Sequence, residues 1–272
     1  MAGLYFSSLN SGSNGNCYYI GNEQEAVLID AGLSCRETEK RMRRLNLNME
    51  NVKAVFISHE HSDHIKGLEL LSRNYQLPVY ITPATFQQSR LRLQDSLVQP
   101  LMAESPVSIG QLVINAFPKF HDAADPHSFT VSQEETCVGV FTDIGQVCDN
   151  LISHFKKCRA AVLEANYDGE MLEKGRYPYH LKNRIRGGKG HLSNAEALEL
   201  FLKHRPTYLS HLFLAHLSAD NNHPDLVHQL FTERAGNTQV VVASRYKETA
   251  LYQVSVSMPE IAQQLTLFEE WT

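Results

Sequence analysis

The sequence predicts an α/β fold in which two sheets lie face to face between outer layers of helices. Three observations predict it. Short apolar segments near the N-terminus follow one another as a meander, and after Val52 strands and helices alternate. The second half repeats that strand–helix order. No linker rich in Pro, Ser or Gly, no internal repeat and no low-complexity tract divides the 272 residues, so residues 1–272 read as one domain.

Taken in order, 4–9, 17–20 and 26–29 read as strands, and the small polar run 11–16 (SGSNGN) as the turn between the first two. Residues 36–45 form a charged helix, 52–57 a buried strand, and 62–73 a helix with Ser62 as N-cap. A strand at 79–81 and a helix at 83–93 follow, then strands at 111–117, 128–131 and 137–141. A helix at 146–157 leads to a strand at 160–163. Ser193 opens a helix at 194–204, with Glu196 placed to complete a capping box. A strand at 208–213, a helix at 224–235 and a strand at 239–242 complete the pattern.

Apolar residues make up 43% and charged residues 20%, which excludes a disordered, collagen-like or coiled-coil chain. No apolar run approaches the roughly 18 residues of a membrane span, and the first twenty residues lack the features of a secretory signal. A cytoplasmic protein without a membrane partner is expected. The five cysteines are widely spaced and include no C-x-x-C pair, so they read as reduced, mostly buried thiols. A net charge of −5 provides no global basic field for a polyanion, which must be met by a local patch or by bound cations.

The densest chemical signal is Ser58-His59-Glu60-His61-Ser62-Asp63-His64, between the strand VKAVFI and a helix. On an extended segment His59 and His61 face the same side, and the first helical turn brings Asp63 and His64 back toward them. Four ligand-type residues within six positions suit one or two divalent ions. Imidazole with carboxylate selects Zn, Mn, Fe or Ni over Ca or Mg. The competing reading, a solvated helix start with histidines by chance, fits that density poorly. Asp at position 63 departs from H-E-x-x-H, which excludes a helical zincin site.

Further candidates stand at later strand ends: Asp30, His121 (with His127 as its nearest competitor), Asp143, Glu164, His191 and His216. Ligands at several strand ends converge on one edge of an α/β sheet. For Asp30 and Asp143 a turn or cap role is the alternative. His211 reads as a core or surface residue, and His154, His180, His204, His223 and His228 carry no assignment.

In this order the residues resemble the metallo-β-lactamase superfamily, from the N-terminal strands to His216. The resemblance implies an αββα sandwich with a binuclear centre. His59, His61 and His121 would hold one metal, Asp63, His64 and His216 the second, and Asp143 would bridge them. Asp30 would orient a ligand. SGSNGNCYYI, LIDAGLS, SHEHSDHIKGL, HDAADP, TDIG, EANYD, GHLSN and AHLSADNN together look like the YycJ/WalJ subfamily, which implies a 5′–3′ DNA exonuclease. Glu164-Ala-Asn and Gly190-His191-Leu192-Ser193 are also similar to the Glu/His pair of tRNase Z, where the Glu holds the His that supports phosphodiester cleavage.

The expected chemistry is hydrolysis of a phosphodiester assisted by two divalent ions, Zn or Mn with Fe or Ni as alternatives. Asp63 would take up a proton. His191 would donate a hydrogen bond or proton to the phosphate or leaving oxygen, and Glu164 would fix its tautomer. Lys174, Arg176, Lys182, Arg184, Arg186 and Lys189 fall in a 16-residue stretch without acidic residues, interleaved with Tyr177 and Tyr179. Arg184, Arg186 and Lys189 are the candidate contacts to nucleic acid. A second cluster, Arg36, Lys40, Arg41, Arg43 and Arg44, reads as a solvated helix face. The alternative activity is that of a small-molecule hydrolase of the same superfamily, a lactonase or thioester hydrolase; a non-catalytic scaffold fits the full ligand set poorly.

Overall fold

A computed structural model describes residues 3–256, so the 268–271 segment at the C-terminus lies outside the described residues. The first half contains β1 (Leu4–Asn10), β2 (Cys17–Gly21), β3 (Ala26–Ile29), α1 (Cys35–Arg44), β4 (Val52–Phe56), α2 (Ser62–Ile65), α3 (Leu68–Tyr75), β5 (Val79–Ile81), α4 (Pro83–Ser89) and β6 (Val98–Pro100). Next come β7 (Val107–Ile109), β8 (Leu112–Pro118), β9 (His127–Gln133), β10 (Thr136–Phe141), α5 (Asp149–Phe155), β11 (Ala160–Glu164), α6 (Gly169–Lys174) and α7 (Tyr179–Arg186). The remainder is α8 (Asn194–His204), β12 (His211–Ala215), α9 (Pro224–Thr232), β13 (Gln239–Val242) and β14 (Tyr252–Val254).

These strands make two mixed seven-stranded sheets, in the orders β14-β1-β2-β3-β4-β5-β6 and β13-β12-β11-β10-β9-β8-β7. The strands β3 to β6 are parallel, as are β10 to β13, while the other neighbours run antiparallel. The parallel strands β3, β10, β11 and β12 are buried at every position, as expected of strands covered on both faces. Phe6, Tyr18, Phe56, Phe129 and Phe213 fill the space between the sheets. Met42, Leu68 and Leu71 seal the first sheet's outer face, and Leu151, Phe155, Phe201 and Phe231 that of the second. The result is the expected αββα sandwich. Ends of β3, β4, β10, β11 and β12 lead into the residues discussed below, and each follows a parallel pairing.

Several elements depart from expectation, each for a tertiary reason. The helix expected over 62–73 is two helices, and His61 rather than Ser62 is the N-cap of the first. The break is at Gly67, whose N–H donates to Ala31 O at 2.8 Å. A Cβ there would lie 1.8 Å from Leu33 O, so only glycine lets the backbones meet. Two short helices fall where no structure was assigned: α6 ends where the basic stretch begins, and α7 occupies its middle. Arg41 is not solvated but 7% exposed: its guanidinium donates to Leu9 O (2.7 Å), Asn10 Oδ1 (2.6 Å) and Tyr246 O (3.1 Å), tying α1 to the first sheet. The capping box at Ser193 and Glu196 forms as expected. None of the helices in the described residues is long and apolar enough to cross a membrane. All five cysteines are free.

Candidate metal centre

The loop after β4 turns directly into α2, and this brings the contiguous motif together. His59 Nε2 is 3.0 Å from His61 Nδ1, and His121 Nε2 is 3.4 Å from the same atom. These three imidazoles form one group whose ligand atoms lie within 4.8 Å of one another. Asp63, His64 and His216 form another, with Asp63 Oδ2 at 3.5 Å from His64 Nε2 and 3.6 Å from His216 Nε2. Asp143 stands between them: its carboxylate oxygens are 3.2 Å from His64 Nε2, 3.5 Å from His216 Nε2 and 3.9 Å from His121 Nε2.

Hydrogen bonds on the far side of the rings fix their orientation. Asp30 Oδ2 lies 2.7 Å from His64 Nδ1, and the Asp30 carboxylate accepts from Ser58 N and Ser58 Oγ at 2.8 Å each. Asp30 is fully engaged behind His64, as an orienting residue is. Ser58 Oγ is also 2.9 Å from His59 Nδ1, and His121 Nδ1 is 3.1 Å from Gly190 O. Glu164 Oε1 lies 3.0 Å from His216 Nδ1 and 2.8 Å from His191 Nδ1, while Oε2 accepts from Ile144 N and Leu192 N. One carboxylate thus holds two imidazoles.

The charges follow from this packing. Burial opposes a charge on His64, but Asp30, Asp143 and Asp63 prevail and hold it well above the usual imidazole range. Burial likewise opposes the His216 cation, and Asp143, Asp63 and Glu164 raise it to about 10. His121 is pushed by burial down to about 4. Burial raises the Glu164 carboxyl, but the His191 and His216 partners lower it to about 2. For Asp143 the His216 and His64 cations outweigh burial and keep the carboxyl well below its usual range.

The side chains present fit divalent cations. His216 Nε2 and Asp143 Oδ2 are buried without a hydrogen bond of normal geometry, an expensive state that a cation between them would relieve. Imidazoles and carboxylates together form a donor set suited to divalent transition metals.

All the expected ligand positions therefore meet in one place, with His191 and Glu164 at its edge. His127, the competitor of His121, points elsewhere, with Nδ1 2.9 Å from Asp125 O. His154 stacks on Phe117 at 3.9 Å, and His211 packs edge-on against Phe6 and Tyr252. Arg184 reaches the rim, where it pairs with Asp122 beside His121 at 2.6 Å. Arg186 pairs with Glu173 at 3.0 Å and lies over the Tyr179 ring.

Sequence reasoning missed Ser58 and Lys119, and read the Ser11–Asn16 turn either as structural or as a contact from the side opposite the motif, without singling out Asn16. Asn16 Nδ2 donates to Asp63 Oδ2 at 3.1 Å. The buried Lys119 Nζ donates to Thr142 O at 2.7 Å and pins the chain next to Asp143; no signal in the sequence marks it.

Comparison with known proteins places this geometry in a family. Residues 25–216 match the Lactamase_B_2 model, described as a beta-lactamase superfamily domain. The chain is 37% identical over 227 residues to Exodeoxyribonuclease YycJ of Bacillus anthracis, covering 82% of this chain and 86% of that protein. It is 30% identical over 250 residues to Exodeoxyribonuclease WalJ of Streptococcus pneumoniae, covering 90% and 93% respectively. In fold it is similar to the metallo-beta-lactamase fold protein YhfI from Bacillus subtilis, with a TM-score of 0.73 at 17% identity over 93% of this chain and all of that one. The chain thus belongs to the beta-lactamase superfamily, as a YycJ/WalJ-like member of the metallo-β-lactamase fold.

Proposed function

We propose that this protein is a metal-dependent phosphodiesterase that degrades DNA as an exonuclease, in the 5′–3′ direction. The observation that carries the reading is the buried convergence of His59, His61, Asp63, His64, His121, Asp143 and His216 with the His191–Glu164 pair at its edge. The two relatives named as exodeoxyribonucleases, similar over more than four-fifths of the chain, support the choice of substrate.

Two divalent cations, Zn or Mn in kind, have their ligands here: His59, His61 and His121 for one, Asp63, His64 and His216 for the other, with Asp143 shared. When bound, such ions supply Lewis-acid charge to a phosphate oxygen and make water ionisable near neutral pH.

The chain's own residues do the rest. Asp63, ionised and steadied by Asn16, accepts the proton shed by the attacking water. His191 Nδ1 is committed to Glu164, which leaves Nε2 for a phosphate oxygen or the leaving oxygen, and the side chain is 22% exposed, open enough for a substrate to reach. Glu164 acts through His191 and His216 as a positioning residue. Arg184 and Arg186 on α7 and Lys189 just after it would meet backbone phosphates, the two arginines by exchanging Asp122 and Glu173 for phosphate. A lactone or thioester needs neither that cationic approach nor a proton donor of this kind.

The test is digestion of end-labelled DNA by metal-loaded protein, with chelator and metal add-back, beside a lactone and a thioester. Release of nucleotides from the 5′ end, lost with chelator and reduced at least 100-fold in His191→Ala, is expected. Turnover of the lactone or thioester alone would sink the proposal.

A further inference from the structure

The Ser11–Asn16 turn borders more than the metal cluster. Ser11 Oγ accepts from His216 N at 2.8 Å, and the same serine lines a cavity of about 260 Å³ together with Leu217, Ser218, Val242, Arg245 and Tyr246. Leu217 and Ser218 directly follow His216, so the cavity adjoins the cluster through a single residue. The volume is just below the roughly 300–1,000 Å³ of sites for drug-sized ligands. It has room for one planar ring and its sugar.

The backbone at Arg245 and Tyr246 is held while their side chains are not. Asn14 Nδ2 donates to Arg245 O at 2.8 Å, and the buried Arg41 donates to Tyr246 O at 3.1 Å. The Tyr246 ring is 79% exposed. The Arg245 guanidinium lies across Gly12, where a Cβ would be 3.0 Å from Nη2, and among the described residues no carboxylate pairs with it. Gly12, at φ +134°, is open to this approach as no other residue would be. At the opposite rim Tyr177 OH donates to Asp220 Oδ2 at 2.7 Å, anchoring the start of the basic stretch to the loop that walls the cavity. The apolar pocket thus adjoins the metal cluster at His216.

We propose that this cavity is a nucleobase subsite. It receives the base of a nucleotide adjoining the phosphate at the cluster, with Tyr246 stacked on the base and Arg245 meeting the next phosphate. An exposed aromatic ring on a held backbone, beside a guanidinium with no carboxylate partner among the described residues, is a combination that grips a single strand without regard to sequence. The inference rests on the nucleic-acid reading above and adds where the strand lies.

Two octamers of equal charge test it, one of thymidine and one of abasic tetrahydrofuran units, both with slowly cleaved phosphorothioate links. Binding to the metal-loaded protein is followed by fluorescence anisotropy. The parent should prefer the thymidine octamer by roughly ten-fold or more. Tyr246→Ala should bring that ratio close to one, and Tyr179→Ala should keep it. Arg245→Gln should weaken both octamers and reduce the slope of log K against log salt by about 0.7. A ratio near one in the parent, a ratio kept by Tyr246→Ala, or one lost instead in Tyr179→Ala overturns the subsite while leaving the nuclease reading intact. Failure of the metal-loaded parent to hydrolyse ordinary DNA refutes the nuclease reading, and the binding ratio still decides the subsite.

Discussion

Replacing Glu164 by Gln changes one heavy atom and inverts the hydrogen bonding of two histidines. Glu164 is fully buried; Oε2 accepts from two backbone N–H groups, and Oε1 faces Nδ1 of both His191 and His216. In Glu164→Gln the amide oxygen must take the place of Oε2, because only an oxygen can accept from Ile144 N and Leu192 N. The NH2 group then points at both Nδ1 atoms, which must become acceptors. Each ring is driven to carry its proton on Nε2. For His216 that is the atom 3.5 Å from Asp143 and 3.6 Å from Asp63, which has to offer a lone pair to a cation. For His191 the pair with the carboxylate is lost. Loss of an orienting partner of a metal-binding histidine costs roughly 10–100-fold in metal affinity or activity. With one metal-facing histidine affected, about 10–100-fold in affinity is expected, and with His191 disturbed as well at least about 100-fold in kcat. Metal affinity is read by competition with a fluorescent chelator, kcat on DNA at saturating metal, and fold integrity by urea unfolding with chelator present. A Glu164→Gln protein that binds metal and turns over like the parent would refute the tautomer argument.

Three other outcomes are expected. Because their carboxylate neighbours keep His64 and His216 protonated at pH 7, loading the site should release about two protons, read by calorimetry in buffers of different ionisation enthalpy, and affinity should rise with pH; release of none would be inconsistent with the charges described. Burial holds His211 at about 4, so the unfolded chain takes up its proton first as pH falls below 6.5; stability is full above that pH and falls toward pH 4, by about 2 kcal/mol between pH 7.5 and 5, a loss that urea unfolding should not find in His211→Gln. A Cβ at position 32 would lie 1.7 Å from Asp63 O, so Gly32→Ala should cost at least about 1–3 kcal/mol in urea unfolding and weaken metal binding together, and wild-type values for both would contradict the close approach.

The parts of the site readable in sequence are those encoded over short distances. The spacing of His59, His61, Asp63 and His64 specifies a shared face across a strand-to-helix turn, and Asp30, Asp143 and His216 each close an apolar run. The shared role of Glu164 was not readable. It depends on the parallel register that sets Glu164 opposite Ala215, one residue before His216, and no local pattern encodes a register between strands 47 residues apart. Gly67 breaks a helical pattern only because the loop carrying Leu33 packs on it. Arg41 lies in a charged run yet is buried, since the acceptors that satisfy it come from β1 and from Tyr246. The strands β6, β7 and β14 have three residues each with a polar one among them (VQP, VSI, YQV), whereas the equally short β5 is legible because it is apolar throughout (VYI).

Three residues of the centre share an unusual backbone. Asp30, Asp143 and His216 have φ of 63°, 55° and 56°, and each turns the chain sharply just after a strand. Such left-handed conformations cost on the order of 1 kcal/mol or more for a non-glycine residue and persist where the surroundings hold them. At Asp30 the compensation is three hydrogen bonds, to Ser58 twice and His64 once. At His216 it is Ser11 on the backbone N–H and Asn166 on the carbonyl. Asp143 has no such set; besides the Lys119 bond to the preceding carbonyl, it is held by charge, against burial, through the His216 and His64 cations. Those cations use the same Nε2 atoms that face the metal positions. The residues that position Asp143 are thus the ones proposed to share a cation with it. The hydrogen bonds that hold Asp30 and His216 do not involve those Nε2 atoms, so the fold's integrity and its metal content should be separable in every variant considered above except Gly32→Ala.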